Sequence, residues 1–308
     1  MPVFRRLLVV LALALLAASC STADTLATVN GDEITKSDLY ALRPSYENGG
    51  SSVTGEQLRQ DVSDLVLLEA ASQAAAADFG LELTDAVIDE RIANPPGRYA
   101  SVLNPAVAAP DANETTRRSR AIATLLIDAV APSLIAAEPG GLEALISEQP
   151  DTVAQVCVRH IAVASIADGE AVLARLIDGE DFVEVAAEVS LDQATPEGLI
   201  GGDDGNCLEW LTAIGPEFAN LAATAELGVP LGPVPNGSGW SVIRIEDRVS
   251  PSSVADLEAN IMDYVNPALT STLYSTWVTR AVRNADIDVS ATIGRWSEVG
   301  LGIAPPGE

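Results

Sequence analysis

One histidine is present in 308 residues. It is His160, in the run Val156-Cys157-Val158-Arg159-His160-Ile161-Ala162-Val163. A single imidazole narrows the chemistry open to the chain. A Ser-His-Asp hydrolase would need a nucleophile motif near it, and no convincing one is found. A metal centre is equally poor, because Cys157, Cys207 and one distant histidine lack the paired spacing of zinc sites. Neither a metal nor any other cofactor is therefore expected. Taken alone, a histidine in an apolar strand reads as a satisfied core residue.

The elements that must position this histidine can be read from periodicity. Residues 155–163 form a strand, with Val158, His160 and Ala162 on one face and Cys157, Ile161 and Val163 on the other. A helix over 169–177 follows, and Gly179-Glu180-Asp181-Phe182 turns into a second over 183–189. A long loop, 190–205, carries the glycine turn Gly201-Gly202-Asp203-Asp204-Gly205. A third helix starts at Phe218, and Pro233-Val234 and the strand 240–245 complete a small antiparallel sheet flanked by helices, an α+β arrangement.

Upstream, residues 27–34 read as two short strands around an Asn30-Gly31 turn, leading to a short helix through Leu39 and Leu42. A capping box at Thr54 opens a helix that Gly80 stops, and Thr84 opens another that Pro95-Pro96-Gly97 ends. A loop over 98–113 precedes a helix bearing Arg117, Arg118 and Arg120 and then Ile122, Leu125, Leu126 and Val130. Downstream, residues 251–284 form a long helix that Pro267 should kink or break. Its apolar side requires a partner. Residues 287–289 and 294–296 add a short edge strand, and the tail after Gly300 is expected to be disordered.

The order of Arg159-His160-Ile161, the glycine turn, Pro216-Glu217-Phe218, Gly232-Pro233-Val234 and the closing strand Trp240-Ser241-Val242-Ile243-Arg244-Ile245 resembles the parvulin-type peptidyl-prolyl isomerase domain. The opening Val29-Asn30-Gly31-Asp32, with Ile34, Thr35, Asp38 and Leu39, is similar to that of the SurA-like and PrsA-like chaperones. Together the two resemble exported foldase lipoproteins of this kind, of the actinobacterial type. The resemblance implies a helical chaperone-like module over 21–150, an inserted parvulin-like domain over 151–248, and a C-terminal segment, 249–308, whose helix rejoins the first module.

It also implies a site. His160 matches the first of the family's two active-site histidines, and Asp192 its central cysteine or aspartate. Phe218 matches the phenylalanine of the proline pocket, with Ile214 and Ala162 beside it. The chain departs from the pattern where Ser241 stands in place of the second histidine, Cys207 in place of an aromatic residue, and Asp204 in place of a leucine. Cys157 and Cys207 belong to neighbouring pieces of that fold. A disulfide between them is implied, with two buried thiols or a metal site as the alternatives.

The first 20 residues are set aside as an address. Arg5 and Arg6 precede the apolar run 7–16, and Leu16-Ala17-Ala18-Ser19-Cys20 resembles a lipoprotein cleavage site at which Cys20 is lipidated. The alternative is an ordinary secretory signal with an incidental cysteine. The run is too short for a membrane span, and no other segment is read as one. The formal charge of −27 argues against nucleic acid. The expected protein is thus exported, tethered to the outer face of the cell membrane through Cys20, and acts on unfolded or newly exported polypeptides containing X-Pro. Its oligomeric state is open. The competing expectation is a catalytically weak parvulin-like chaperone that only binds extended chains, with Ser241 and Cys207 as the features that discriminate.

Overall fold

The computed structural model describes residues 24–42, 54–99, 103, 114–195, 197–200, 207–211, 214 and 216–307. The signal segment with Cys20, most of the 98–113 loop and the glycine turn at 201–205 lie outside them. The chain divides into two compact units, one built from residues 1–130 and 274–308 and the other from residues 131–273.

In chain order the elements begin with β1 (Thr25–Val29) and β2 (Asp32–Thr35), joined at Asn30-Gly31, where both residues take positive φ. Helix α1 (Lys36–Leu42) follows, and the Asp38 carboxylate accepts the Thr35 N–H at 2.7 Å. Helix α2 (Gly55–Phe79) is capped at one end by the Thr54 hydroxyl, which accepts from the Gln57 N–H, and stopped by left-handed Gly80. Helix α3 (Asp85–Ala93) is capped by Thr84 in the same way. Helix α4 (Glu114–Ala136) is next, then the short α5 (Gly141–Ser147).

The remaining elements are β3 (Gln155–Val163), α6 (Ile166–Ile177), α7 (Phe182–Val189), β4 (Leu199–Ile200), β5 (Glu209–Trp210), α8 (Pro216–Thr224), β6 (Pro230–Pro235) and β7 (Trp240–Val249). After them come α9 (Val254–Ala259), α10 (Ile261–Tyr264), α11 (Pro267–Asn284), β8 (Ile287–Val289), β9 (Arg295–Ser297) and β10 (Gly302–Ala304).

The first unit has a core made by the inner face of α2 (Val62, Val66, Ala70), the sheet residues Leu26, Val29 and Ile34, and Val282 of α11. Its sheet runs β2-β1-β8, all antiparallel. Ile88 of α3 packs with Leu103, Ala121 and Leu125 in a second cluster. Arg118 pairs with Asp85 and Asp89.

Three expectations need correction. The tail is not disordered, because β10 pairs with β9 and the Ile303 N–H donates to the Ser63 hydroxyl at 3.0 Å. A three-residue strand containing a glycine is too short to show periodicity. The helix over 251–284 breaks just before Pro267, as expected, with Pro267 opening α11 where its missing N–H costs nothing, but a further interruption at Asn260 makes it three helices. Within α4, residues Arg117–Ala136 are long and apolar enough to cross a bilayer by length and composition. Leu126, Val130, Ala131 and Ile135 are fully buried, while 39% of that apolar window as a whole is buried.

The second unit is built on an antiparallel sheet of order β4-β3-β7-β6, with β5 also pairing with β3. Helices cover both faces. On one, Val156, Val158, Ile243 and Ile245 pack with Ile214, Phe218 and Ala222 from α8 and the turn before it. On the other, Ile161, Val163 and Val242 pack with Val172, Phe182 and Val185 from α6 and α7. Helix α6 lies close on β6 because Gly169 carries no side chain: a Cβ there would come within 2.6 Å of Pro233. Mixed helices and small antiparallel sheets make the molecule an α+β protein.

Candidate active site

His160 lies on β3, between Arg244 and Val242 of β7 in register, with its own partner Ile243. Two ties fix the segment that crosses above it. At one end the Leu191 N–H donates to the Ala162 carbonyl at 2.8 Å, and the buried Ser190 hydroxyl accepts the Ala162 N–H at 3.2 Å. At the other the His160 N–H donates to the Gly198 carbonyl at 2.7 Å. Arg159 adds a clamp, donating to the Glu197 carbonyl at 2.6 Å and pairing with Glu246 at 3.2 Å. Asp192 is caught between these ties and delivered over the imidazole.

The Asp192 Oδ2 lies 2.9 Å from His160 Nε2. The same oxygen accepts the Thr195 hydroxyl at 2.9 Å, while Oδ1 accepts the Ala194 N–H at 2.9 Å. These bonds hold the carboxyl below the usual range, with Thr195 contributing most, then Ala194, and His160 less. Partial desolvation opposes them. On the other side of the ring, His160 Nδ1 lies 3.4 Å from the Ser241 hydroxyl. Ser241 is fully buried and receives the Asn236 side-chain N–H at 2.8 Å. Ser241 has no exposed surface and is therefore not itself placed to attack a bound substrate.

The remaining candidates occupy definite places. Phe218 and Ile214, each 8% exposed, join Val158 in the cluster on the sheet face that alternation assigns to His160. Ala162 is half-buried and paired in register with Ser241. The sulfurs of Cys157 and Cys207 lie 2.01 Å apart. Among the described residues no group of three or more His, Cys, Asp and Glu side chains is placed to hold a metal. Cys20 lies outside the described residues. Thr195, Ser190 and Asn236 were not singled out from sequence. Their only signal was a hydroxyl or amide near a turn, a pattern that is common in any loop.

A helix-flanked antiparallel sheet, with an imidazole held between a carboxylate and a hydroxyl, has the layout of a parvulin-type rotamase domain. Residues 160–247 match the family described as Rotamase, PPIC-type PPIASE domain. The chain is 35% identical over 97 residues to peptidyl-prolyl cis-trans isomerase PIN4 of Gibberella zeae, covering 30% of this chain and 67% of that protein. It is 33% identical over 105 residues to foldase protein PrsA of Caldanaerobacter subterraneus subsp. tengcongensis, covering 34% of this chain and 33% of that protein. It is 24% identical over 251 residues to chaperone SurA of Salmonella choleraesuis, covering 72% of this chain and 57% of that protein. The chain belongs to the PPIC-type, or parvulin, family of peptidyl-prolyl isomerases. It spans about a third of the length of the PrsA relative and little more than half of the SurA relative.

Proposed function

We propose that this protein is an exported, membrane-anchored peptidyl-prolyl cis/trans isomerase that assists folding of unfolded polypeptides by turning over their X-Pro bonds. The observation that carries the reading is the network at His160: Asp192 at 2.9 Å, Ser241 at 3.4 Å, and a phenylalanine in the hydrophobic cluster of the same sheet face. Rotation about the bond preceding proline crosses a barrier of roughly 20 kcal/mol, because amide resonance is lost at the transition state. No covalent intermediate is needed.

The roles follow from that requirement. Phe218, Ile214 and Ala162 supply an apolar wall for the pyrrolidine ring. The hydrogen-bonded groups His160, Asp192 and Ser241 hold the carbonyl side fixed while the nitrogen becomes pyramidal. Because the twisted amide is less dipolar than the planar one, an apolar and water-poor wall favours it over the ground state. Export follows from the basic and apolar start of the chain, and anchorage from Cys20. We read Cys157–Cys207 as a closed disulfide, in keeping with an oxidising compartment.

A second reading keeps the architecture but drops the turnover, leaving a domain that only binds extended chains. The feature that favours it is Ser241, which gives the ring a hydroxyl where the resemblance would put a second imidazole. A protease-coupled prolyl assay with catalytic amounts of the protein separates the two. Acceleration above the blank supports the enzyme. A rate equal to the blank, with aggregation of an unfolded client still suppressed, would leave only the binding module.

A further inference from the structure

We propose that the hollow between α6 and the end of β3 is a second seat for the client chain, taking a large apolar side chain about three residues from the proline with a lysine or arginine beside it. The inference rests on the isomerase reading of His160. The hollow has a volume of about 320 Å³, at the small end for ligand sites, which run from roughly 300 to 1,000 Å³. It suits a side chain and its neighbour, not a folded partner. Val163 and Val172, each 5% exposed, line it together with Val189 and Leu191. It stays open because two bordering positions are small: Ala164, just past β3, and Ala171 on α6 are both exposed. Leu191 is 64% exposed. A lone leucine in water needs no explanation, but this one continues an apolar lining into a contiguous patch.

Leu191 also joins the hollow to the catalytic network. Its N–H donates to the carbonyl of Ala162, part of the proposed proline wall, and the next residue is Asp192, 2.9 Å from His160. Val163 packs with α6 and α7, whereas alternation puts Ala162 on the opposite face with His160. The segment 190–192 is thus a ridge shared by the two. A client crossing it covers about 10 Å, the thickness of one packed layer, or roughly three extended residues. The rim selects what stands beside the apolar side chain. Exposed Asp168 accepts the Ser165 hydroxyl at Oδ2, 2.6 Å, and its Oδ1 accepts no bond among the described residues. Arg175 is held by Glu180 at 2.7 Å and Glu188 at 2.6 Å. One guanidinium against two carboxylates leaves that end negative, and Asp168 adds to it. A client cation is complementary there. Because these carboxylates are exposed, they govern selection and salt dependence more than affinity.

The test uses unstructured peptides with one proline in an alanine, glycine and serine background. They carry Leu-Arg, Leu-Glu or Ala-Ala three residues before the proline or three after it. Each is titrated at low salt into the 15N-labelled wild-type protein. In one of the two placements Leu-Arg is expected to bind about tenfold more tightly than Ala-Ala and to shift the amides of Ala171 and Leu191. Leu-Glu should be about threefold weaker than Leu-Arg, a difference that fades in high salt. Ala171→Trp, at an exposed helical position, fills the hollow and should abolish the leucine preference. Leu191→Ser, which strips one wall, is the companion variant in case the tryptophan disturbs the fold. Asp168→Asn keeps an acceptor for Ser165 and should shrink the preference for arginine over glutamate.

Equal affinity for the three peptides would overturn the proposal. So would a leucine preference that survives both Ala171→Trp and Leu191→Ser, or an arginine preference unchanged in Asp168→Asn. Amides of the hollow that shift with protein concentration alone, with a doubled mass in sedimentation, would assign it to a second copy of the chain and also overturn the proposal. Cis/trans exchange rates on the same peptides separate the two readings. A Leu-Arg preference without turnover refutes the isomerase and leaves the seat; turnover with no preference among the peptides refutes the seat alone.

Discussion

Thr195 shows how far single side chains set this site. Its hydroxyl is the largest of the influences that hold Asp192 below the usual carboxylate range, ahead of the Ala194 N–H and of His160. A carboxyl depressed on folding contributes stability above its unfolded value, near 3.9, and that contribution is lost as the pH falls through the lower folded value. Thr195→Val should move the Asp192 titration up towards the ordinary value and shrink this acid-side contribution. A 13C carboxyl titration of Asp192 by NMR reads the change; an unaltered midpoint would remove Thr195 from the account. Neither Thr195 nor Asn236 could be picked out in the sequence, because the direction in which a turn residue points is decided by bonds several residues away. His160, Asp192 and Ser241 were reachable only because they stand within an ordered string of motifs. Their meeting depends on the backbone ties at Ala162 and Gly198, which no spacing rule states.

At the scale of elements, the loop between α7 and β4 matters most, and it is pinned at a glycine. Gly198 has φ +70°, and a Cβ there would fall against the His160 carbonyl oxygen. Gly198→Ala should cost about 1–3 kcal/mol from the left-handed backbone alone, and it should also loosen Asp192 from the ring. Denaturant melts together with the Asp192 titration check both effects. If Cys157 and Cys207 are bonded as proposed, the link closes a separation of 50 residues, worth about 4 kcal/mol by loss of chain entropy in the unfolded state. Replacing both cysteines by serine should lower stability by about that amount, read from urea midpoints under oxidising conditions. The main helices and strands were legible because their caps and periodicity agree: Thr54, Thr84 and the alternation of β3 are local signals. The break before α11 was readable from Pro267, but the one at Asn260 was not. The β9–β10 hairpin escaped notice because its strands are three residues each and are held by a bond to Ser63 from far away in sequence.

The whole molecule is strongly acidic, at −27, and its two units place separate demands on the chain. The α+β class was legible from the mixture of helical stripes and one alternating strand followed by glycine and proline signals. The sheet β2-β1-β8 was harder to foresee, because it joins the start of the chain to residues more than 250 positions later. If the exported, anchored state is right, Cys20→Ala should shift the protein from the membrane fraction to the soluble exported fraction without changing its melting behaviour. Retention in the membrane would speak against lipid anchorage at that residue.

The most direct test of the central claim is exchange NMR on a short X-Pro peptide with catalytic amounts of the wild-type protein and of His160→Ala. The account predicts accelerated cis/trans exchange by the wild type and a loss of at least tenfold in the variant, a difference of about 1.4 kcal/mol or more in barrier height. Equal acceleration by both proteins, or none by the wild type, would contradict it.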